Sequence, residues 1–275
     1  MRGKQPSVSV RSAWAAGFAA QAFRQNAILA GLHGTETDAI VTSGTLVDLS
    51  VRDQIYRPDE RIKDVFFPLD CVLSVVAQMR DGHFIEIGTI GREGVSGLPL
   101  LLGASTTANE CYCQVPGNAV KIDAALFLSL KANRKFEQLL DRYVQAYVNM
   151  LGQLAACNRL HSIEERCARW LLMTHDRVGS SEIRLTHEYL AMMLGSRRSG
   201  VTIAAATLQK AGLIRYAQGV ITILDLTGLE DTSCECYQVA REQFGDLLCP
   251  VNGIEEPHSL PSASGVLGKR MRGSR

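Results

Sequence analysis

Arg197 and Arg198 stand side by side after Gly195-Ser196, with Ser199 and Thr202 close behind. Guanidinium and hydroxyl groups set together in this way are the donors that bind a phosphate or the O6/N7 edge of guanine. Ser196 reads as a helix N-cap, so both arginines fall in the first turn of a helix. Cations there oppose the macrodipole and contribute nothing to stability by themselves, which points to an anionic partner. The basic excess is local. Between residues 184 and 216, Arg184, Arg197, Arg198, Lys210 and Arg215 face only Glu188, while the whole chain carries a net charge of +1.

The elements that must position these donors are legible around them. Leu185 to Leu208 reads as two short helices joined at Gly195, where a sharp turn calls for a left-handed backbone. Ala191 is small where the helices cross, Val201 points back into their angle, and Leu190, Leu194 and Leu208 form the inner side. This is a helix-turn-helix pattern, whose second helix enters the DNA major groove. Leu213–Tyr216 and Val220–Leu224 flank Gln218-Gly219 as a hairpin, either a wing over the phosphate backbone or a cover for the helices. The candidate DNA contacts are Thr186, Ser196, Arg197, Arg198, Ser199, Thr202, Lys210 and Arg215.

Other chemistry has weaker signals. No Ser/His/Asp order, phosphate-loop glycine pattern or paired carboxylates stand out, so no enzyme, cofactor or metal is expected. The 8 cysteines, in a chain with no secretory signal, read as reduced thiols of a cytoplasmic protein. Cys111 and Cys113 share one face of a strand, whereas Cys234 and Cys236 on a helix would diverge by about 200°. Neither pair has zinc-site spacing. A thiol redox response through Cys111, Cys113 or Cys157 is the alternative, and His161, His175 and His187 read as packing, capping or phosphate contacts. No run approaches the ~20 apolar residues of a spanning helix, so no membrane partner is expected.

Upstream, Phe136, Leu140, Tyr143, Tyr147, Met150, Leu154, Cys157 and His161 recur in steps of 4 and 3. This is a heptad seam on one helix over 133–161, read as a dimer seam in which Cys157 faces its two-fold mate. Ser162-Ile-Glu-Glu165 is a capping box opening the next helix, and Thr227-Gly-Leu-Glu230 another, with a last helix from about 228 to 244. Short apolar runs between Thr45 and Ile122, punctuated by Gly, Pro and Asn, predict an antiparallel barrel or roll. Gly91 to Gly103 reads as a loop with a short helical turn. The expected class is α+β: a flexible leader over 1–25, a β-roll over 26–132, the dimerisation helix, a winged helix-turn-helix over 162–228, and a C-terminal helix and tail over 229–275. At 275 residues and 46% hydrophobic content, two modest domains can each bury a core. Residues 1–35 are basic without an acid, and the tail after Cys249 is rich in Pro, Gly and Ser and reads as disordered.

In this order the elements resemble the Crp/Fnr family of bacterial transcription regulators. Glu165-Arg-Cys-Ala-Arg-Trp-Leu-Leu172 and the helix-turn-helix carry the resemblance most strongly, and it extends more weakly over 26–228. It implies a homodimer on a two-fold DNA site, contact with RNA polymerase where the protein activates, a cyclic-nucleotide-binding-like sensor roll that alters the pose of the DNA-binding domains, and a hinge at His161-Ser162. Gly91, Arg92, Glu93 and Gly94 sit where the family's Gly-Glu loop would line an effector pocket. Two departures matter. No Arg or Lys lies between Arg92 and Lys121 to hold a cyclic phosphate, and residues 1–70 have no cysteine for an iron–sulfur centre. The reading is therefore a DNA-binding regulator that does not bind cyclic AMP. A bare cyclic-nucleotide-binding module is the outside alternative, and the effector stays open.

Overall fold

The computed structural model describes residues 23–248, with side chains to residue 245. The expected leader over 1–25 and tail after Cys249 lie almost wholly outside the described residues. Two short helices, α1 (Ala27–Ala30) and α2 (Thr35–Ser43), lead into seven strands: β1 (Thr45–Leu49), β2 (Gln54–Tyr56), β3 (Asp64–Pro68), β4 (Val72–Gln78), β5 (Phe84–Ile90), β6 (Glu110–Val115) and β7 (Gly117–Asp123). They form two antiparallel sheets, ordered β1-β7-β3 and β2-β6-β4-β5. The helical turn expected within 91–103 is α3 (Leu98–Leu101). β2 gives no strand signal in the sequence, being only three residues long and polar at its start.

After α4 (Ala124–Leu130) comes the long helix α5 (Arg134–Leu160), capped by the Asn133 side chain and ending at His161. Its seam does not face outward. Phe136, Leu140, Tyr143, Tyr147, Met150 and Cys157 are buried within the single chain, and Leu154 and His161 are partly so. The expectation of a dimer seam is thus corrected, and the cause is packing the heptad could not show. On one side the roll admits the tyrosines through glycines: a Cβ at Gly94 would stand 2.4 Å from the Tyr143 ring, and one at Gly88 2.4 Å from the Tyr147 hydroxyl. On the other side the C-terminal helix of the same chain lies along α5.

The rest is α6 (Ile163–Val178), β8 (Glu182–Arg184), α7 (His187–Met193), α8 (Arg198–Lys210), β9 (Ile214–Ala217), β10 (Val220–Ile223), α9 (Leu226–Thr232) and α10 (Cys236–Leu248). The Ser162 box forms in both directions, at 2.7 and 3.2 Å. The single last helix expected over 228–244 is instead two, α9 and α10. The Thr227 box does not form, because Asp225, two residues earlier, takes the Gly228 amide at 3.0 Å and starts α9 first. α10 packs on α5 through Asn149 to Gln243 at 2.5 Å and through Phe244, 6.5 Å from the Tyr143 ring centre.

Candidate nucleic-acid interface

The turn between α7 and α8 is built as its residues require. Gly195 takes φ 55°, Ala191 and Val201 are buried at the crossing, and Leu190, Leu194 and Leu208 fill the inner side. Thr186 caps α7 through the Tyr189 amide at 3.2 Å. Ser196 does not cap α8. Arg197 holds the N-cap position, with no side-chain cap bond. Among the described residues no capping side chain meets the first-turn amides of α8, which lie beside two exposed guanidinium groups, and this suits an incoming phosphate.

Arg197, Arg198, Ser199 and Thr202 are all exposed on one side of α8, with Lys210 exposed in its last turn and Arg215 on β9. The Thr202 hydroxyl donates to the Arg198 carbonyl at 2.9 Å, so its methyl and oxygen are held in a fixed rotamer. Ile203, missed by the sequence reading as a contact, is 62% exposed between them. It could have been singled out as an apolar residue on an otherwise polar face, suited to a thymine methyl.

The hairpin is tied to this helix. Gln218 and Gly219 take φ 50° and 75° as the two-residue turn demands. The Tyr216 amide donates to Gln209 of α8 at 2.7 Å. His187 stacks on Tyr216 at 4.1 Å and meets the Thr202 hydroxyl at 3.2 Å. Burial, then the Arg198 charge, holds the His187 imidazole below its ordinary pKa. His187 is thus a joint between α7, α8 and the hairpin. β8, a third strand paired to β10, is too short to read in the sequence; it sets Arg184 opposite Val220, exposed beside the hairpin.

The opposite side of the same domain is docked on the roll. Arg177 of α6 is buried and pairs with Glu93 at 2.8 Å, and it donates to Thr89 at 2.6 Å. Glu93 also accepts the Gly91 amide at 3.0 Å. Arg92 reaches the Asp176 carbonyl. The Gly91–Gly94 loop is therefore occupied by an arginine that sequence distance concealed. Beside it lies a cavity of about 270 Å³ among β5, α5 and α6, lined by Glu86, Thr89, Leu151, Trp170, Met173 and Arg177. Glu86 accepts from Ser74 at 2.7 Å and from the Trp170 indole at 3.3 Å.

The cysteines separate into two groups. Cys111 and Cys113 are fully buried in β6, and burial pushes both thiols up, Cys113 to about 12. That is the reverse of what a reactive thiol requires. Cys157 does not meet a two-fold mate. It lies 3.5 Å from Cys234 of its own chain. Cys234 and Cys236 do not diverge on a helix either, because Cys234 lies in the turn before α10 and only Cys236 is helical.

Residues 165–232 match the Crp-like helix-turn-helix domain. The matched domain is Crp-like, and the fold of the described residues is similar to that of Crp/Fnr regulators of known structure. The transcriptional regulator SdrP of Thermus thermophilus is 37% identical over 59 residues, which span 22% of this chain and 29% of that protein. The match thus covers under a third of that relative. Among solved structures, a transcriptional regulator assigned to the Crp/Fnr family from Eubacterium rectale superposes with TM-score 0.58 at 18% identity, covering 74% of this chain and 96% of that one. TTHB099, a Crp-family regulator also from Thermus thermophilus, gives 0.57 at 19% identity over 68% and 95%. FixK2 from Bradyrhizobium japonicum gives 0.57 at 14% over 70% and 98%. At such identities the structural likeness is one of fold. Among the described residues no helix is long and apolar enough to cross a membrane.

Proposed function

We propose that this Crp/Fnr-type chain is a sequence-specific DNA-binding transcription regulator that acts as a homodimer on a two-fold operator, with RNA polymerase as a further partner where it activates. The observation that carries the reading is the exposed, uncapped start of α8, with Arg197, Arg198, Ser199 and Thr202 on one side and the pinned hairpin beside them. Arg198 reads a guanine edge and Arg197 a phosphate; Thr186, Ser196, Lys210 and Arg215 contact the backbone. The second copy meets the outer stripe of α5, where Gln145, Val148, Gly152 and Ala155 repeat at helical spacing and Val148 is 53% exposed. Half-sites then lie about one DNA turn, ~34 Å, apart.

The test is selection of bound duplexes from a random pool, followed by gel shift on the enriched site. Arg198→Ala should weaken specific binding by about 1–3 kcal/mol per half-site and relax one base position. Arg197→Ala should lower the salt slope without changing the preferred sequence. Val148→Asp should give monomers by light scattering and lose the two-fold complex. Unchanged binding by the Arg197→Ala/Arg198→Ala double variant would remove α8 as the reader.

A further inference from the structure

We propose that Cys157, His161, Cys234 and Cys236 hold a single divalent metal ion, zinc by the chemistry of the set, which clamps the end of the long helix to the segment after the hairpin. Their ligand atoms all lie within 4.8 Å of one another. The Cys157 and Cys234 sulfurs are 3.5 Å apart, and the Cys236 sulfur is 3.5 Å from His161 Nδ1. With zinc–sulfur and zinc–nitrogen bonds of about 2.3 and 2.0 Å, the edges of a tetrahedral site are roughly 3.5–3.8 Å. The pocket fits one ion. An iron–sulfur cluster needs its ligands spread around a body of several atoms, which this spacing excludes.

The two halves of the site come from distant segments and converge for structural reasons. Cys157 and His161 are one turn apart on α5, so they share a face. Cys234 leaves α9 in an extended turn and Cys236 begins α10, so both sulfurs can reach back to that face. The three sulfurs form a buried group of their own, separate from the hydrophobic core.

The surroundings are those of a ligand set. Glu235 places a carboxylate 3.1 Å from His161 Nε2, which leaves Nδ1 aimed at the sulfurs. That carboxylate–imidazole arrangement is the usual outer support of a metal-bound histidine. Gln153 donates to the Cys236 sulfur at 3.1 Å. Three thiolates and a neutral imidazole around a divalent cation leave one negative charge. The buried Arg166 and Arg169 of α6 lie within reach of the Cys157 charge, and each has a buried Nε that donates to no partner among the described residues.

The location gives the ion a role. His161 ends α5 and Ser162 begins α6, so two ligands stand at the joint before the DNA-binding domain, and the other two follow its last helix. The ion fixes the pose of that domain on α5.

The full chain, purified under reducing conditions without chelator or affinity metal, should contain about one zinc per chain by elemental mass spectrometry. Replacement by cobalt(II) should give the ligand-field and sulfur-to-metal bands of a tetrahedral thiolate site. Cys234→Ser and Cys236→Ser should each lose the metal and the spectrum, with circular dichroism checking the fold, and Cys113→Ser should keep both. Glu235→Gln should keep the fold and lower zinc affinity roughly 10- to 100-fold against a chromophoric chelator. Three results would overturn the proposal: a folded chain with no metal and no cobalt spectrum, a visible iron–sulfur chromophore, or a Cys157–Cys234 disulfide in metal-free protein. None of these readouts depends on DNA binding, so the clamp and the regulator stand or fall separately.

Discussion

The arginines of α6 and those of α8 belong to one small domain and are used in opposite ways. Arg166, Arg169 and Arg177 are buried against the roll and the end of α5, whereas Arg197 and Arg198 stand in solvent. A buried guanidinium must be paired or hydrogen-bonded, so its neighbours are fixed by it. An exposed pair at a helix start gains nothing from the fold and is held for something that arrives later. The difference separates two faces of the domain: one is docked on the roll and α5, the other is open to the DNA that the proposed function assigns to it.

The largest expected effect breaks the docked face. Arg177→Ala leaves the partly buried Glu93 without its cation and should cost about 3 kcal/mol in denaturant unfolding. Arg177→Met combined with Glu93→Gln should recover most of that loss, because it removes both charges together. Arg197→Ala, by contrast, should shift stability by no more than about 0.5 kcal/mol. An Arg177→Ala chain as stable as the parent would show that the ion pair does not hold the domain.

How much of this was legible depends on how local the cause is. Ala191, Gly195 and Val201 mark the helix-turn-helix within a dozen residues, and the Ser162 box spans four. Both form as read. The seam of α5 was legible only as an apolar stripe, since a heptad reports that something covers it and not what. The cover is the roll, admitted by Gly88 and Gly94, together with α10. The same limit applies to Arg177, which reaches Glu93 across 84 residues, and to Cys157, which reaches Cys234 across 77. Two local readings failed because a neighbour won. Asp225 caps α9 two residues before Thr227 and so leaves Thr227 inside the helix, and Arg197 rather than Ser196 took the N-cap of α8.

A smaller effect sharpens the comparison through pH. Glu86 sits between the two faces, toward Arg169 and Arg177 of α6, Tyr147 of α5, Tyr112 of β6 and Tyr189 of α7. Burial raises its carboxyl to about 7, against hydrogen bonds from Ser74 and Trp170 that lower it. The folded pKa lies above the unfolded one. Its stabilising contribution is therefore complete below the unfolded value of about 4.3 and is lost as pH rises through about 7. Between about pH 5.5 and 8.5, unfolding free energy should fall by on the order of 2 kcal/mol, and Trp170 emission should change with the same midpoint. Trp14→Phe isolates that signal, and Glu86→Gln should flatten it. A parent profile as flat as the variant's would remove Glu86 from the docking contact.

The smallest effect expected is none at all, and it concerns the loop where fold likeness and residues part. A cyclic phosphate carries a full negative charge and needs a bidentate cation in a site cut off from water. No Arg or Lys lies between Arg92 and Lys121. Among the described residues the guanidinium that enters the loop is that of Arg177, and it is already engaged by Glu93 at 2.8 Å. Arg92 is turned away to the Asp176 carbonyl. A cyclic nucleotide would have to displace a partly buried carboxylate from its partner and leave that carboxylate beside the phosphate, two costs with no new cation among the described residues to offset them. Cyclic AMP and cyclic GMP at micromolar concentration should give no heat in titration calorimetry and no change in affinity for the selected DNA. A micromolar heat that vanished in Arg92→Ala, or in the Arg177→Met/Glu93→Gln double variant, would mean that the loop exchanges its internal carboxylate for a ligand phosphate. The docked face of the domain would then itself be the sensor.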